Sequence, residues 1–228
     1  ISENNFISNI SKYIENKILQ IIIVMRNRIP IIINIFLAVG LGVACLHLFS
    51  SKEENTGNET INTIMTRTSV RSFTSQIIEE EKVEQLLRAG MAAPTAMNCQ
   101  PWEFIVINDR KLLDQLCDSL PSAKMLKEAQ LAIIVCGNMQ KALEGDMQSL
   151  WVQDASAASE NILLAAHALG LGAVWTGVYP SDNVNIVRNT IKLPEHIVPL
   201  NVIPIGYPKG EHQPKDKWKH EKIHYNAW

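Results

Sequence analysis

Arg67-Thr68-Ser69-Val70-Arg71-Ser72-Phe73 sets two guanidinium groups four residues apart with hydroxyls between them. If the run is helical, Arg67 and Arg71 share a face; if it forms a helix end, free amides add to the positive field. Either arrangement suits a phosphate and an electron-rich ring. Alone, two arginines beside hydroxyls are more often a solvated surface, so the meaning of the run rests on its surroundings.

Outward from it, helix and strand signals alternate. From Ile78 to Ala93 the apolar positions Val83, Leu86, Leu87 and Met91 recur at helical spacing, and Pro94 follows as a stop. Trp102 to Ile107 alternates and carries large or β-branched residues, which predicts a strand; Asp109 then offers an N-cap to a helix across Lys111 to Cys117. Leu131 to Val135 reads as an apolar strand ending at Gly137. Trp151 to Leu169 reads as the longest helix, closed by Gly170. Ala173 to Thr176 is a third strand and Ile197 to Ile205 a fourth, where Pro199 and Pro204 predict an edge position or irregular pairing. The pattern fits an α+β or α/β domain.

Three further clusters carry chemistry. Ala93 to Trp102 is a loop of small and amide residues, including Pro94, Thr95, Asn98, Cys99 and Gln100, whose amides can read donors and acceptors on a heteroaromatic edge. Trp175, Thr176 and Gly177 stand at the carboxyl end of a predicted strand, where α/β proteins bind ligands. Pro214-Lys215-Asp216-Lys217-Trp218 is by itself only a basic stretch of a terminus.

In this order and spacing, with the Gly206-Tyr207-Pro208 turn before the tail, the clusters resemble the nitroreductase family over Asn62 to Trp228. The resemblance implies an α+β, three-layer α/β/α fold with a mostly antiparallel sheet flanked by helices, in a domain-swapped homodimer that binds FMN. It implies that Arg67 and Ser69, beside Thr68, hold the FMN phosphate and that Arg71 approaches the flavin pyrimidine. It assigns Pro94, Thr95, Asn98 and Gln100 to flavin contact from the partner subunit, and Lys124 to the pyrimidine edge. Trp175, Thr176 and Gly177 would face flavin N5 and O4, and Lys215 and Lys217 would close on the phosphate. Some members carry an acidic residue where Thr176 stands.

The implied activity is electron transfer from NAD(P)H or another donor, through flavin N5, to a nitroaromatic, quinone or similar small acceptor. The flavin carries the chemistry and no side-chain nucleophile is needed, with Arg71 and Lys124 as electrostatic stabilisers. Two rival readings are a reductive dehalogenase resembling iodotyrosine deiodinase, for whose lid Gly137 to Leu150 is short, and a flavin-binding protein without turnover. His212, His220 and His224 are spaced so that a metal could be imagined, but no carboxylate or cysteine completes a set, and no metal is expected.

The first 24 residues contain no Ala, Gly, Pro or Arg, a bias expected of translated AT-rich non-coding DNA, so residues 1–24 read as an extension before a start at Met25. In the leader, residues 25–50, Arg26 and Arg28 precede Ile29 to Phe49, which is apolar but for Asn34 and His47 and long enough to span a bilayer. An uncleaved anchor, a cleaved signal peptide and lipidation at Cys45 compete. Positive charge before the segment and Glu53, Glu54 and Glu59 after it place the domain on the periplasmic or exterior face rather than in the cytoplasm. Residues 51–61 read as a linker and 62–228 as the flavin domain. A chain of 228 residues holds one such domain, and a net charge of -2 gives no general attraction to nucleic acid. The domain's three cysteines, Cys99, Cys117 and Cys136, read as buried or free thiols.

Overall fold

The computed structural model describes residues 15–20, 25 and 56–228. The chain divides into two units, Ile1–Gly57 and Asn58–Trp228. In the first, residues 15–20 are helical; Ile29 to Phe49 and Cys45 lie outside the described residues. Among the described residues no helix is long and apolar enough to cross a membrane.

The second unit is entered through α1 (Thr56–Thr66), which starts inside the segment expected to be a linker. Next come α2 (Glu80–Met91), β1 (Trp102–Ile107), α3 (Arg110–Ser119), β2 (Leu131–Asn138), α4 (Trp151–Ala168), β3 (Gly172–Ala173), β4 (Thr176–Gly177), α5 (Asn183–Ile191) and β5 (Ile197–Gly206). The sheet order is β1-β2-β5-β3, with β4 also on β5, and every strand pair is antiparallel. β1 runs in unbroken register along β2, from Trp102 opposite Gly137 to Ile107 opposite Ala132.

Strand alternation divides the core into two layers. Ile133 and Val135 of β2, with Ile203 and Ile205 of β5, pack with Leu86 of α2 and Ala155 and Ile162 of α4. Ala132, Ile134 and Cys136, with Val202, pack with Leu113 and Leu116 of α3 and Val187 of α5. All eight residues of β2 are therefore buried, as a central strand covered on both faces must be. Gly90 of α2 makes room for a close approach to α4 and β1: a Cβ there would stand 3.0 Å from Ile162 and 3.1 Å from Phe104.

One expectation needs correction, and of two alternatives left open for another strand one is observed. The segment Ala173 to Thr176 is not one strand, because Val174 and Trp175 separate β3 from β4. For β5, where the prolines left an edge position or irregular pairing open, the pairing is irregular and the strand lies inside the sheet, between β2 and the two short strands β3 and β4. Its irregularity is local: Pro199 sits where the register slips between Val135 and Cys136, and Pro204 falls between the pairing of Thr176–Gly177 with residues 201–202 and that of Gly172–Ala173 with 205–206. The missing proline N–H groups fall where the pairing is already interrupted.

Candidate functional site

The run from Arg67 to Phe73 is extended, not helical. Arg67 N donates to Thr63 O at 3.0 Å and closes the C-terminal end of α1, so no helix N-terminus adds its amides here. Arg67, Thr68, Ser69 and Arg71 line one cleft, while Val70, 5% exposed, packs inward. The run is seated at several points. Val70 N donates to Ala173 O at 3.0 Å, Phe73 N to the Glu128 carboxylate at 3.1 Å, and Thr74 N to Tyr207 O at 2.9 Å. Gly172 and Gly206 make room for it, since a Cβ would come within 2.6 Å of Val70 at the first and 2.9 Å of Phe73 at the second.

The turn after β5 is pinned in its own way. Lys82 Nζ donates to the Tyr207 hydroxyl at 2.6 Å, and that hydroxyl donates to Glu79 at 2.7 Å. The phenol bond and the nearby lysine hold the Glu79 carboxyl below its usual range, and the same phenol contact raises Lys82. Lys209 N then donates to Ser72 O at 3.0 Å, which lays the start of the tail beside the run.

The outcome is a polar cleft of about 250 Å³ lined by Arg67, Thr68, Ser69, Arg71, Lys215 and Lys217. Four cations and two hydroxyls surround it, and no carboxylate lines it. Arg67 is steadied from behind by Glu160 of α4, at 3.3 Å, and its neighbour Thr66 shares a 2.9 Å hydrogen bond with His167 of the same helix. Such a constellation suits a phosphate monoester: guanidinium forks and hydroxyls meet its oxygens and the lysines add point charge.

The remaining expected residues lie elsewhere. Lys124 donates to Cys117 O at 2.7 Å and Asp118 O at 3.3 Å near the end of α3, and it does not line the cleft. Thr176 is buried and spends its hydroxyl on Val202 O at 2.6 Å, so it offers a ligand only backbone. Trp175 is half-buried, whereas Gly177 is exposed, and a Cβ there meets nothing within 4 Å.

Pro94, Thr95, Asn98 and Gln100 form a separate loop. Met97, Asn98 and Gln100 all lie in the left-handed region, at φ 50°, 55° and 50°. For non-glycine residues this conformation costs about 1 kcal/mol each or more, which surrounding bonds must offset. Gln100 N donates to the Thr95 hydroxyl at 3.1 Å, Gln100 Nε2 to Asn98 Oδ1 at 3.1 Å, and Ala96 N to Asp154 Oδ1 of α4 at 2.8 Å. Asp154, Glu128 and Glu160 carried no signal in the sequence, because each meets its partner across more than fifty residues. Cys99, Cys117 and Cys136 are free thiols. Among the described residues no group of three or more His, Cys, Asp or Glu could hold a metal.

A three-layer α+β domain with an antiparallel sheet and a basic phosphate-sized cleft defines the class of protein. Residues 64–123 and 117–207 match the family model described as the nitroreductase family, and the chain belongs to that family. A Parabacteroides distasonis structure, provisionally named an NADH dehydrogenase/NAD(P)H nitroreductase, is 50% identical at a TM-score of 0.71 over 75% of this chain and 99% of its own. A Methanothermobacter thermautotrophicus protein with the same provisional name is 43% identical over 75% of this chain and 88% of its length. An FMN-dependent nitroreductase from Clostridium difficile R20291 is 30% identical at a TM-score of 0.68, covering 74% of this chain and 99% of that one.

Proposed function

We propose that this chain is an FMN-dependent NAD(P)H oxidoreductase of the nitroreductase type, passing electrons to a nitroaromatic, quinone or similar small acceptor. The observation that carries this is the cleft of Arg67, Thr68, Ser69, Arg71, Lys215 and Lys217. Its donors fit the phosphate of FMN, and they lie at the end of the run that the resemblance assigns to that role. When bound, FMN supplies the hydride chemistry. The chain's residues position and charge the site: Arg67, Ser69 and the tail lysines hold the phosphate, Arg71 fixes positive charge beside the ring, and exposed Gly177 leaves open space along the strand assigned to N5 and O4.

A homodimer joins the two halves of this site. Asp154 holds the Thr95–Gln100 loop at the first turn of α4. Glu160 and His167, which hold Arg67 and Thr66, come six and thirteen residues later, about 9 and 20 Å along the helix axis. A second copy can bring its loop to the cleft. Surfaces suited to it are present: α1 leaves Ile61, Ile64 and Met65 exposed beside a groove lined by Ala89, Ala92, Leu164 and Ala165, and the tail exposes Trp218, Tyr225 and Trp228. Ile29 to Phe49 is read as an export or anchoring segment that places the domain outside the cytoplasm; fractionation of the native protein into membrane, periplasmic and cytoplasmic pools tests this.

The cleft is tested by comparing FMN with riboflavin, which lacks the phosphate. FMN should bind at least about a hundredfold more tightly, the worth of one or two charge-assisted hydrogen bonds. Equal affinity would remove the cleft from cofactor binding.

A further inference from the structure

Asp154 is a buried carboxylate that the flavin chemistry does not use. It is 7% exposed, in the first turn of α4, where the helix dipole favours a negative charge. Its Oδ1 accepts the amide of Ala96 at 2.8 Å, the hydrogen bond recorded from the loop Thr95–Gln100 to another element. Among the described residues the loop's other hydrogen bonds are internal. Asn98 N reaches Thr95 O at 3.1 Å, Cys99 N reaches Ala96 O at 3.0 Å, and Gln100 bonds to Thr95 and Asn98. Those bonds define the loop's shape; the chain that follows is fixed separately, where Asn138 N donates to Pro101 O at 2.6 Å. With three non-glycine residues held at positive φ, the loop's shape is strained, and the Asp154 bond is one of the restraints that hold it.

We propose that Asp154 is a positioning residue for the cofactor: by gripping the Ala96 amide it holds Thr95, Asn98 and Gln100 in the one shape that presents their polar groups to a flavin edge. This inference rests on the FMN reading above. It assigns a role across α4 that neither the loop's sequence nor the basic cleft contains. A carboxylate suits the task better than a neutral acceptor, because a charged acceptor strengthens the bond and the low-dielectric setting amplifies it.

The test uses the full-length protein and two readouts. The first is amide hydrogen exchange of residues 96–100 without flavin; the second is FMN affinity by fluorescence quenching. In Asp154→Ala the Ala96–Gln100 amides should exchange about tenfold faster or more, and FMN Kd should rise by a similar factor, while amides in α2 and β2 keep their protection. Asp154→Asn retains an acceptor oxygen without the charge and should recover part of the loss, with a Kd between those of Asp154→Ala and the parent. Unchanged exchange in the loop, or unchanged Kd in Asp154→Ala, would overturn the proposal, as would an Asn variant as weak as Ala. If Asp154→Ala does not fold, Ala96→Pro reaches the same bond from the loop side. Thr95 is extended at φ -134° and ψ 154°, so the backbone before residue 96 accepts a proline; the donor is lost and the ring Cδ, standing where the N–H pointed, pushes the Asp154 carboxylate away. Weakened FMN binding in that variant supports the proposal, and parental affinity overturns it. Should the parent protein bind no FMN, the cofactor reading fails by itself, and the exchange measurement still decides whether Asp154 holds the loop.

Discussion

Gly172→Ala is the sharpest perturbation of the run that builds the cleft. A methyl group at Gly172 would lie 2.6 Å from Val70 Cγ1, 2.7 Å from Val70 Cβ and 3.0 Å from Val70 Cγ2. Carbon atoms in ordinary contact stand about 3.5–4.0 Å apart, so Val70 must retreat by roughly 1 Å. A rotamer change cannot provide this, because Cβ itself is in the way. The backbone from Ser69 to Arg71 must move, against the 3.0 Å bond from Val70 N to Ala173 O. Overpacking of this kind costs about 1–3 kcal/mol of stability. The shift also draws Ser69 and Arg71, on either side of Val70, away from the phosphate. Losing one hydrogen bond to a charged group, about 1.5–3 kcal/mol, weakens FMN binding by about 10- to 100-fold. Urea denaturation reads the first effect and FMN titration of the folded protein the second. Parental stability together with a Kd within twofold of the parent would refute the argument that Gly172 seats the run.

Gly177→Ala makes the complementary case. Nothing in the chain lies within 4 Å of the new methyl, so thermal stability should hold while FMN affinity falls by about tenfold or more, the scale of one lost contact to the ring; unchanged affinity would remove Gly177 from the site. Lys215→Ala and Lys217→Ala should each weaken FMN binding and flatten its dependence on salt, because charge facing the cleft is screened as ionic strength rises; a salt slope equal to the parent's would place both lysines in solvent. Burial pushes the Cys136 thiol from 9.0 up to about 12. The folded state therefore resists ionisation that the unfolded state undergoes, so stability is full below about pH 9 and declines as pH rises from 9 toward 12. Cys136→Ala should make that alkaline limb shallower in urea melts at successive pH values, and an unaltered limb would assign it to other groups.

Much of the fold was legible because it is local. The alternation from Trp102 to Ile107 gave β1 its observed limits, and Asp109 accepts from Leu112 N at 2.9 Å, as an N-cap should. The alanine-rich helix ends before a Gly170 at φ 74°. What escaped depends on tertiary context. α5 is Asn-Val-Asn-Ile-Val-Arg-Asn-Thr-Ile, a run of weak helix formers held by burial of Val187. For β5 an edge position and irregular pairing both stayed open, because the sequence cannot say that its prolines meet a register slip and a gap in pairing. At the site, the residues of the cleft were found from the sequence, but their common face has a different origin. Arg67 and Arg71 line the cleft from an extended backbone, where a spacing of four is also even, so the pair expected to share a face of a helix meets without one. Lys124 and Thr176 show the opposite limit. The resemblance implied flavin contact for both, and their side-chain bonds to Cys117 O and Val202 O could be seen only in three dimensions.

The most direct test of the central claim is the visible absorption spectrum of the purified full-length protein mixed with FMN, recorded anaerobically before and after NADH or NADPH and then after a nitroaromatic or quinone. The protein should retain flavin absorption through gel filtration, lose it on addition of at least one nicotinamide, and regain it when the acceptor is added. Protein that elutes without flavin, or bound flavin that neither nicotinamide bleaches, would contradict an FMN-dependent NAD(P)H oxidoreductase.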